Sequence, residues 1–338
     1  MPGAGRSRGP HDRAPAPPVA FLGRLSTDRL GATHARMLAE DRVGLECVMR
    51  SPDPTTLALA GLDDDGVASY GFYTAGTAAA GLTPEDALAA LPERVTALHV
   101  GTLGLVLEPL ARAMEAVVER LAGSTMVMVD PNCRPRAIDD PPAVRARLER
   151  VLGRSHLVKV SEEDLAWLRP DVPALTAARA LLDHGPTAVL LTRGADGATI
   201  LTAGEQTPVA PVAATVVDTI GAGDAFGGGV LAWWTSRGLG AAQLTRHELV
   251  VEAARFGAAV AARTVAQAGA SPRRLPATAG GRALHAADLV WGGGSSCAAE
   301  GCRGVSAGDR HPPSYRWYGR GCRVPADAVR RRQMRANF

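Results

Sequence analysis

The chain has 338 residues, of which 46% are hydrophobic, and a formal net charge of +3 at pH 7. This is enough for one large or two small domains with a sizeable core. No run of about 18 consecutive apolar residues occurs, so we predict no membrane span. The N-terminus also lacks the apolar stretch of a secretory signal. The five scattered cysteines, an odd number, favour a reducing cytoplasm over a disulfide framework.

Lysine is almost absent from the chain. Lys159 is the single lysine among 37 basic residues, and the others are arginines. The residues around Lys159 do not match the phosphate-binding loop G-x-x-x-x-G-K-[ST]. Any nucleotide must therefore be bound by a different structural motif. The arginines, with abundant Ala, Gly and Pro, are typical of a GC-rich coding sequence, and we predict no nucleic-acid partner.

Residues 1–17 are rich in Gly, Pro and Arg without periodicity, and we expect them to be disordered. From residue 18 to 278, short apolar runs alternate with amphipathic stretches. This rhythm predicts an α/β fold in which a mostly parallel sheet is covered by helices on both faces. The predicted strands are residues 19–22, 98–100, 126–129, 157–160 and 189–191, and the predicted helices are 107–121, 143–152 and 175–182.

Two other stretches differ from this rhythm. Residues 45–73 alternate Thr, Ser and aromatic side chains, which predicts a small β element. Residues 279–338 are rich in Arg, Gly, Pro and Trp and show no strand–helix alternation. We therefore expect a domain from residue 18 to 278, preceded by a disordered segment and followed by a disordered tail.

The most informative segment is D-T-I-G-A-G-D-A-F at residues 218–226. It follows a β-type apolar run at residues 213–217 and leads into a helical pattern at residues 225–234. Small residues at a helix start let the backbone approach an anion, which the unpaired first N–H groups attract. Asp224 then lies in the first helical turn, where its carboxylate can take a proton from an attacking hydroxyl. The alternative is an ordinary strand–turn–helix whose acid is favoured by the helix dipole.

Polar side chains follow three of the predicted strands, where the carboxyl ends of a parallel sheet bind ligands. Asn132 can donate to and accept from hydroxyls, and Arg134 offers a fork for phosphate or carboxylate. The Lys159 ammonium can meet a phosphate, although Ser161 and the acids after it also read as a helix N-cap. The next strand ends in T-R-G-A-D-G at residues 192–197, which is alone a weak hairpin signal.

Taken in the order in which they occur along the chain, these segments resemble the motifs of the ribokinase-like (PfkB) family of carbohydrate kinases. Residues 218–226 resemble its C-terminal signature, residues 130–134 its D-x-N-x-R motif, and residues 192–197 its T-x-G-x-x-G turn. Residues 23–31 resemble its G-x-x-x-x-D-x-x-G segment, whose role there is mainly structural. The resemblance implies a ribokinase-like, Rossmann-type fold with a small β lid near residues 45–73, and ATP-dependent phosphorylation of a sugar hydroxyl.

The resemblance also implies a division of labour among the residues. Asp224 corresponds to the general base, and the N–H groups of Gly221, Ala222 and Gly223 to the anion hole for the transferred phosphoryl group. The implied nucleotide-binding residues are Lys159, Ser161, Thr192, Gly194 and Gly197. The implied substrate-binding residues are Tyr73, Asn132, Arg134 and Asp224.

Metal ions are implied in the same way. Asp164 corresponds to a position that organises Mg2+ through water, although this chain has Ser161 and Asp164 where the family motif has Asn and Glu. Asp218 and the carbonyl of Ile220 match positions where some relatives bind a monovalent cation. The implied cofactors are therefore ATP and Mg2+, with K+ as a further candidate.

The substrate is expected to be a neutral hexose. Residues 68–78 and 98–109 resemble fructokinase-like members most, and Thr74 and Ala75 follow Tyr73 where relatives acting on 2-keto-3-deoxygluconate often carry an arginine. Fructose is therefore favoured, and 2-keto-3-deoxygluconate is the alternative because Arg134 could bind its carboxylate. Many relatives dimerise through the lid, so a homodimer is also expected.

One family feature has no counterpart in the chain. Members normally open with a strand that supplies a sugar-binding Asp, followed by a Gly-Gly-x-x-x-Asn segment, and residues 1–17 match neither. We therefore expect the first strand of the sheet to be absent. A truncated, non-catalytic nucleotide-binding remnant stays open as an alternative function.

Overall fold

The computed structural model describes residues 19–62, 68–270 and 291–292, so the predicted disordered segment 1–17 and nearly all of the tail 279–338 lie outside the described residues. The strands are β1 (Val19–Ala20), β2 (Gly23–Ser26), β3 (Val43–Gly44), β4 (Val48–Ser51), β5 (Leu57–Leu62), β6 (Ala68–Tyr73), β7 (Ala97–Gly101), β8 (Met126–Asp130), β9 (Leu157–Ser161), β10 (Ala188–Thr192), β11 (Ala198–Thr202), β12 (Glu205–Val209) and β13 (Trp291–Gly292). The α-helices are α1 (Arg29–Glu40), α2 (Pro84–Ala89), α3 (Leu110–Leu121), α4 (Pro141–Leu152), α5 (Glu162–Leu168), α6 (Ala174–Leu182), α7 (Ala222–Thr235) and α8 (His247–Val265). None of the helices in the described ranges has the length and apolarity needed to cross a bilayer.

Within the described residues, the central sheet has seven strands in the order β12-β11-β10-β9-β8-β7-β13. Strands β7 to β10 run parallel to their neighbours, and β11 and β12 are antiparallel additions at one edge. At the other edge the short β13 pairs in parallel with His99 and Val100. The prediction of a mostly parallel α/β sheet is confirmed, and β13 adds a strand within the tail, where the sequence shows no strand pattern.

Each face of this sheet packs against its own set of helices. Val129 and Val158 lie in the apolar cluster that includes side chains of α2 to α6. Met128 and Leu157 lie in the opposite cluster, with side chains of α7 and α8. Because successive side chains in a strand point to opposite faces, Asp130 and Lys159, each two residues further along, face α7. The strand register alone therefore brings two opposite charges under that helix.

The small β element predicted for residues 45–73 corresponds to β4, β5 and β6. β5 and β6 form an antiparallel pair in which Leu57 lies opposite Tyr73 and Leu59 opposite Gly71. On one side of this pair, the described side chains of Leu59 and Tyr73 are 51% and 61% accessible to solvent. An exposed apolar side of this kind on a two-stranded sheet is typical of a surface that another element or protein covers.

The prediction of a β-strand at residues 213–217 is wrong. This stretch follows Pro211 with no regular structure, and Val216 and Val217 are 62% and 60% exposed. The N–H groups of Val217 and Asp218 donate instead to the Val265 carbonyl at the end of α8. The valines favour β-structure, but a strand needs a partner, and here the backbone is bonded to a helix end.

Candidate active site

Three of the sequence motifs meet at the carboxyl edge of the parallel sheet. Asn132 follows β8, Ser161 ends β9, and Thr192 ends β10. These three strands are neighbours and parallel, so their carboxyl ends lie at the same edge. The structure thus brings together residues that are 60 positions apart in the chain.

The start of α7 has the geometry expected of an anion-binding turn. Gly221 is the N-cap with φ of 78°, a left-handed conformation that a residue with a side chain adopts only at a cost. The Ala222 N–H donates to the Thr219 carbonyl at 3.2 Å, so this member of the predicted anion hole is engaged in the turn. N–H groups of a first helical turn lack intrahelical acceptors, and the helix dipole adds positive potential there. Asp224 lies in this same turn.

A buried ion pair lies beneath the first turn of α7. The Lys159 Nζ atom is 2.7 Å from Asp130 Oδ2, and the two side chains are only 5% and 3% exposed. A Cβ atom placed on Gly223 would lie 3.2 Å from the same Nζ, so the ammonium packs directly against the helix start. The other Asp130 oxygen, Oδ1, is buried and has no hydrogen-bond partner among the described residues. Asp130 belongs to the D-x-N-x-R segment, but no role for it was predicted from the sequence.

The charges around Asp224 set its protonation. Burial, and then the Asp130 carboxylate, raise the pKa of Asp224 to about 6, against the opposing effects of Lys159 and Arg134. For Lys159, burial lowers the pKa, but Asp130, Asp164 and Asp224 outweigh it, so the pKa lies above its ordinary value. A carboxylate with a pKa near neutrality is suited to accept a proton and release it again.

Lys159 was predicted to contact nucleotide phosphate. The structure places its ammonium on Asp130, in the sheet beneath α7, with little exposed surface. A direct phosphate contact therefore stays a prediction, and the observed contacts are with carboxylates. His99, which faces the same side of the sheet, is buried, and burial and then Lys159 lower its pKa to about 4.

Two strained residues lie side by side after β7 and β8. Asn132 has φ of 40° and Thr102 has φ of 50°, which is an outlier for a β-branched residue. The Asn132 side-chain amide donates to the Thr102 hydroxyl at 2.9 Å, and the Thr102 N–H donates to the Pro131 carbonyl at 3.2 Å. Strain of this kind is concentrated at functional sites. Thr102 is not among the site residues predicted from the sequence, although its position two residues after the predicted strand 98–100 was available as a signal.

Arg134 and Asp164 flank this loop. Arg134 is exposed, and its guanidinium donates to the Cys133 carbonyl at 3.1 Å. Asp164 is buried, and its Oδ1 and Oδ2 atoms accept from the N–H groups of Cys133 at 2.6 Å and Ser161 at 3.0 Å. The Ser161 hydroxyl accepts in return from the Asp164 N–H, which completes a capping box at the start of α5. Both carboxylate oxygens of Asp164 thus already accept backbone hydrogen bonds. A contact of Asp164 with Mg2+ through water stays a prediction.

The remaining predicted site residues lie in turns or on the lid. Gly194 and Gly197 have positive φ in the turn that joins β10 to β11, and the Thr192 hydroxyl lies 3.4 Å from the Val160 carbonyl. Tyr73 ends β6 on the exposed lid. Asp28, from the G-x-x-x-x-D-x-x-G segment, caps α1 and accepts from both the N–H and the hydroxyl of Thr55, and so ties α1 to the segment before β5.

Asp218 is held in a fixed conformation before α7. Its Oδ1 accepts from the Ile220 N–H at 3.0 Å and its Oδ2 from the Gly269 N–H at 2.9 Å. The hydrogen bond from Ile220 is the main cause that lowers the pKa of Asp218, so the carboxylate stays negative. A fixed carboxylate fits a cation site, but within the described ranges no three or more His, Cys, Asp or Glu side chains cluster as a metal site.

Comparisons with known proteins identify the family of the chain. Residues 17–277 match the model of the pfkB family of carbohydrate kinases. The chain is 38% identical to a fructokinase of Rhizobium leguminosarum bv. trifolii over 217 residues, which is 64% of this chain and 65% of that protein. It is 32% identical to a fructokinase of Klebsiella pneumoniae over 227 residues, which is 65% of this chain and 72% of that protein.

Among solved structures, the fructokinase of Vibrio cholerae O395 bound to fructose, ADP and calcium superposes with a TM-score of 0.67 at 26% identity. The match covers 75% of this chain and 81% of that one. The predicted ribokinase-like fold is therefore confirmed, and the chain belongs to the pfkB family of carbohydrate kinases.

Proposed function

We propose that this protein phosphorylates a sugar hydroxyl with ATP, and that fructose is the preferred sugar. The observation that carries the proposal is the position of Asp224 in the first turn of α7, after a Gly-Ala-Gly turn and above the Lys159–Asp130 pair. The choice of fructose is supported by relatives that are named fructokinases and by a similar structure that holds fructose and ADP. The cytoplasmic location inferred from the cysteines stays a prediction.

In the proposed reaction, the sugar oxygen forms a bond to the γ-phosphorus while the bond from that phosphorus to ADP breaks. Asp224 accepts the hydroxyl proton as this oxygen attacks. The charge that spreads over the transferred phosphoryl oxygens faces the N–H groups of Gly221 and Gly223 and the positive end of α7. Asn132 and Arg134, with Tyr73 from the lid, are proposed to bind the sugar.

The nucleotide and ions are proposed to lie at the same edge of the sheet. The turn after β10 contains Thr192, Gly194 and Gly197, and Ser161 is the N-cap of α5 on the neighbouring strand. Backbone N–H groups at these two places can donate hydrogen bonds to phosphate oxygens. Mg2+, when bound, would offset phosphate charge, with Asp164 as the proposed contact through water. Asp218 and the Ile220 carbonyl would hold K+, since Asp218 is a fixed negative charge.

The first test is sugar-dependent release of ADP with Mg-ATP and K+. The sugars are fructose, 2-keto-3-deoxygluconate and ribose, beside a control without sugar. We expect the highest kcat/KM with fructose, because the lid sequence after Tyr73 carries no positive charge for a carboxylate. Highest activity with 2-keto-3-deoxygluconate would instead assign Arg134 to that carboxylate. ATP binding without turnover on any sugar would support the non-catalytic alternative.

The pH profile gives a second prediction. Since Asp224 accepts a proton only when ionised, kcat/KM should fall about tenfold per pH unit once the pH drops below about 6. The measurement is initial rate at subsaturating sugar over a series of buffers, with saturating Mg-ATP. A profile that stays flat between about pH 4 and 8 would contradict the protonation state assigned to Asp224.

A homodimer through the lid is also proposed. Leu57, Leu59 and Tyr73 are exposed on one side of the β5–β6 pair and form an apolar surface that a second lid could cover. Leu59→Asp should raise the dimer dissociation constant by about tenfold or more, because it buries a charge in that contact. Light scattering over a dilution series checks this, with Val172→Asp, at an exposed valine between α5 and α6, as the control. A monomeric wild-type protein at all concentrations would rule the interface out.

A further inference from the structure

We propose that Lys159 and Asp130 act together as positioning residues that keep Asp224 poised as a base, with Lys159 holding it ionised and Asp130 opposing that effect. This inference rests on the proposed function, because it assigns the ion pair to the base of that reaction. It gives Lys159 a role other than nucleotide binding. Neither residue needs to touch the sugar or the nucleotide for the role to hold.

The Lys159–Asp130 pair lies beneath the start of α7. Strand register sets Asp130 and Lys159 side by side on the face of the sheet that packs against α7, and the Nζ atom lies 2.7 Å from Oδ2. The ammonium also packs against Gly223, the residue before Asp224. A surface contact for phosphate would need an exposed ammonium, and this one is 5% exposed.

The polar atoms of this buried pair are only partly satisfied. A buried ion pair contributes little net stability unless its remaining polar atoms are satisfied. Here Asp130 Oδ1 is buried with no hydrogen-bond partner in the described part of the chain. A structural ion pair would be expected to satisfy both oxygens. An unsatisfied carboxylate oxygen next to a catalytic position is typical of a group retained for its charge.

Among the described residues, three charged side chains influence the ionisation of Asp224. Asp130 faces it from β8, Lys159 from β9, and Arg134 from the loop after β8. Behind Lys159 lie Asp164 at the start of α5 and the His99 ring on β7. Removing either member of the pair therefore changes one large influence on Asp224, and the two removals act in opposite directions.

The experiment follows the acidic limb of kcat/KM against pH in three variants. Lys159→Met should move the limb upward by about one to three pH units, because an opposite charge nearby favours the ionised carboxylate. Asp130→Asn should move it downward, and the double variant should return it close to the wild-type position. If Lys159→Met moves nothing while Asp224→Asn is inactive, the pair is structural and the proposal fails.

A loss of folding must be told apart from a loss of positioning. Arg147→Met serves as the matched control, because Arg147 is another buried cation, paired with Glu108 on the opposite side of the sheet. It should lower the melting temperature without moving the acidic limb. If Lys159→Met fails to fold, the opposite shift in Asp130→Asn and the recovery in the double variant still decide the question.

The single lysine permits a direct measurement that needs no turnover. In wild-type protein grown with 13C-labelled lysine, every side-chain signal belongs to Lys159. The εCH2 signal should shift with a midpoint at the ionisation of Asp224, near pH 6, and that step should vanish in Asp224→Asn. A signal that shows no such step would overturn the proposed coupling, whereas a wild-type protein that shows the step but phosphorylates no sugar would overturn the proposed function alone.

Discussion

Asp224→Asn should reduce kcat for sugar phosphorylation by about 10²- to 10⁴-fold, the contribution of a well-placed general base. Asparagine has nearly the same shape as aspartate but cannot accept the hydroxyl proton. The variant should bind ATP as the wild type does and keep its fold. Single-turnover phosphoryl transfer, together with ATP titration, separates the chemical step from binding.

The stability of this variant gives an independent check of sign. The pKa of Asp224 is raised in the folded state, so the folded protein holds the proton more tightly than the unfolded chain does. The ionised carboxylate of Asp224 therefore lowers the stability of the folded protein once the pH rises above the pKa of an ordinary aspartate. An asparagine at this position carries no charge and removes this cost. Asp224→Asn should be at least as stable as wild type at pH 7, so that inactivity cannot be ascribed to unfolding.

A matched control is the same substitution in another first helical turn. Asp86→Asn changes an exposed acid at the start of α2 and should leave kcat unchanged. Turnover retained by Asp224→Asn would remove Asp224 from the base role. Equal losses in both variants would point to a general effect of lost negative charge.

Gly101→Ala should lower the free energy of unfolding by about 1 to 3 kcal/mol, as overpacking of a core does. Gly101 ends β7 with extended backbone, so its conformation is open to any residue and the cost is steric. An added Cβ would lie 1.9 Å from the backbone oxygen of Asp130, its partner on β8. The strands must separate to admit it, and Asp130 would move with them.

The measurement is urea unfolding of Gly101→Ala beside Gly123→Ala. Gly123 follows α3, and a Cβ there meets nothing within 4 Å, so this control should stay within about 0.5 kcal/mol of wild type. We also expect kcat to fall in the first variant, because its displaced Asp130 belongs to the ion pair beneath Asp224. Equal stability of the two variants would contradict the close approach of β7 and β8.

Sequence patterns were sufficient for the parts of the molecule that depend on local chemistry. The apolar run at residues 126–129 and the mostly apolar run at residues 157–160 predicted buried parallel strands, because both faces of such strands are covered, and β8 and β9 confirm them. Ser161 predicted a helix N-cap for the same local reason. The opposite case is the run at residues 213–217, where strong β-propensity met no partner strand.

The sequence by itself determined the family, the order of the motifs along the chain, and Asp224 as the candidate base, because each depends on short segments with fixed spacing. Only the tertiary structure decided that Lys159 pairs with Asp130, that Thr102 binds Asn132, and that Asp164 holds Cys133. These pairs join residues about 30 positions apart. Their contacts arise from strand register and helix packing, which no local pattern of residues specifies.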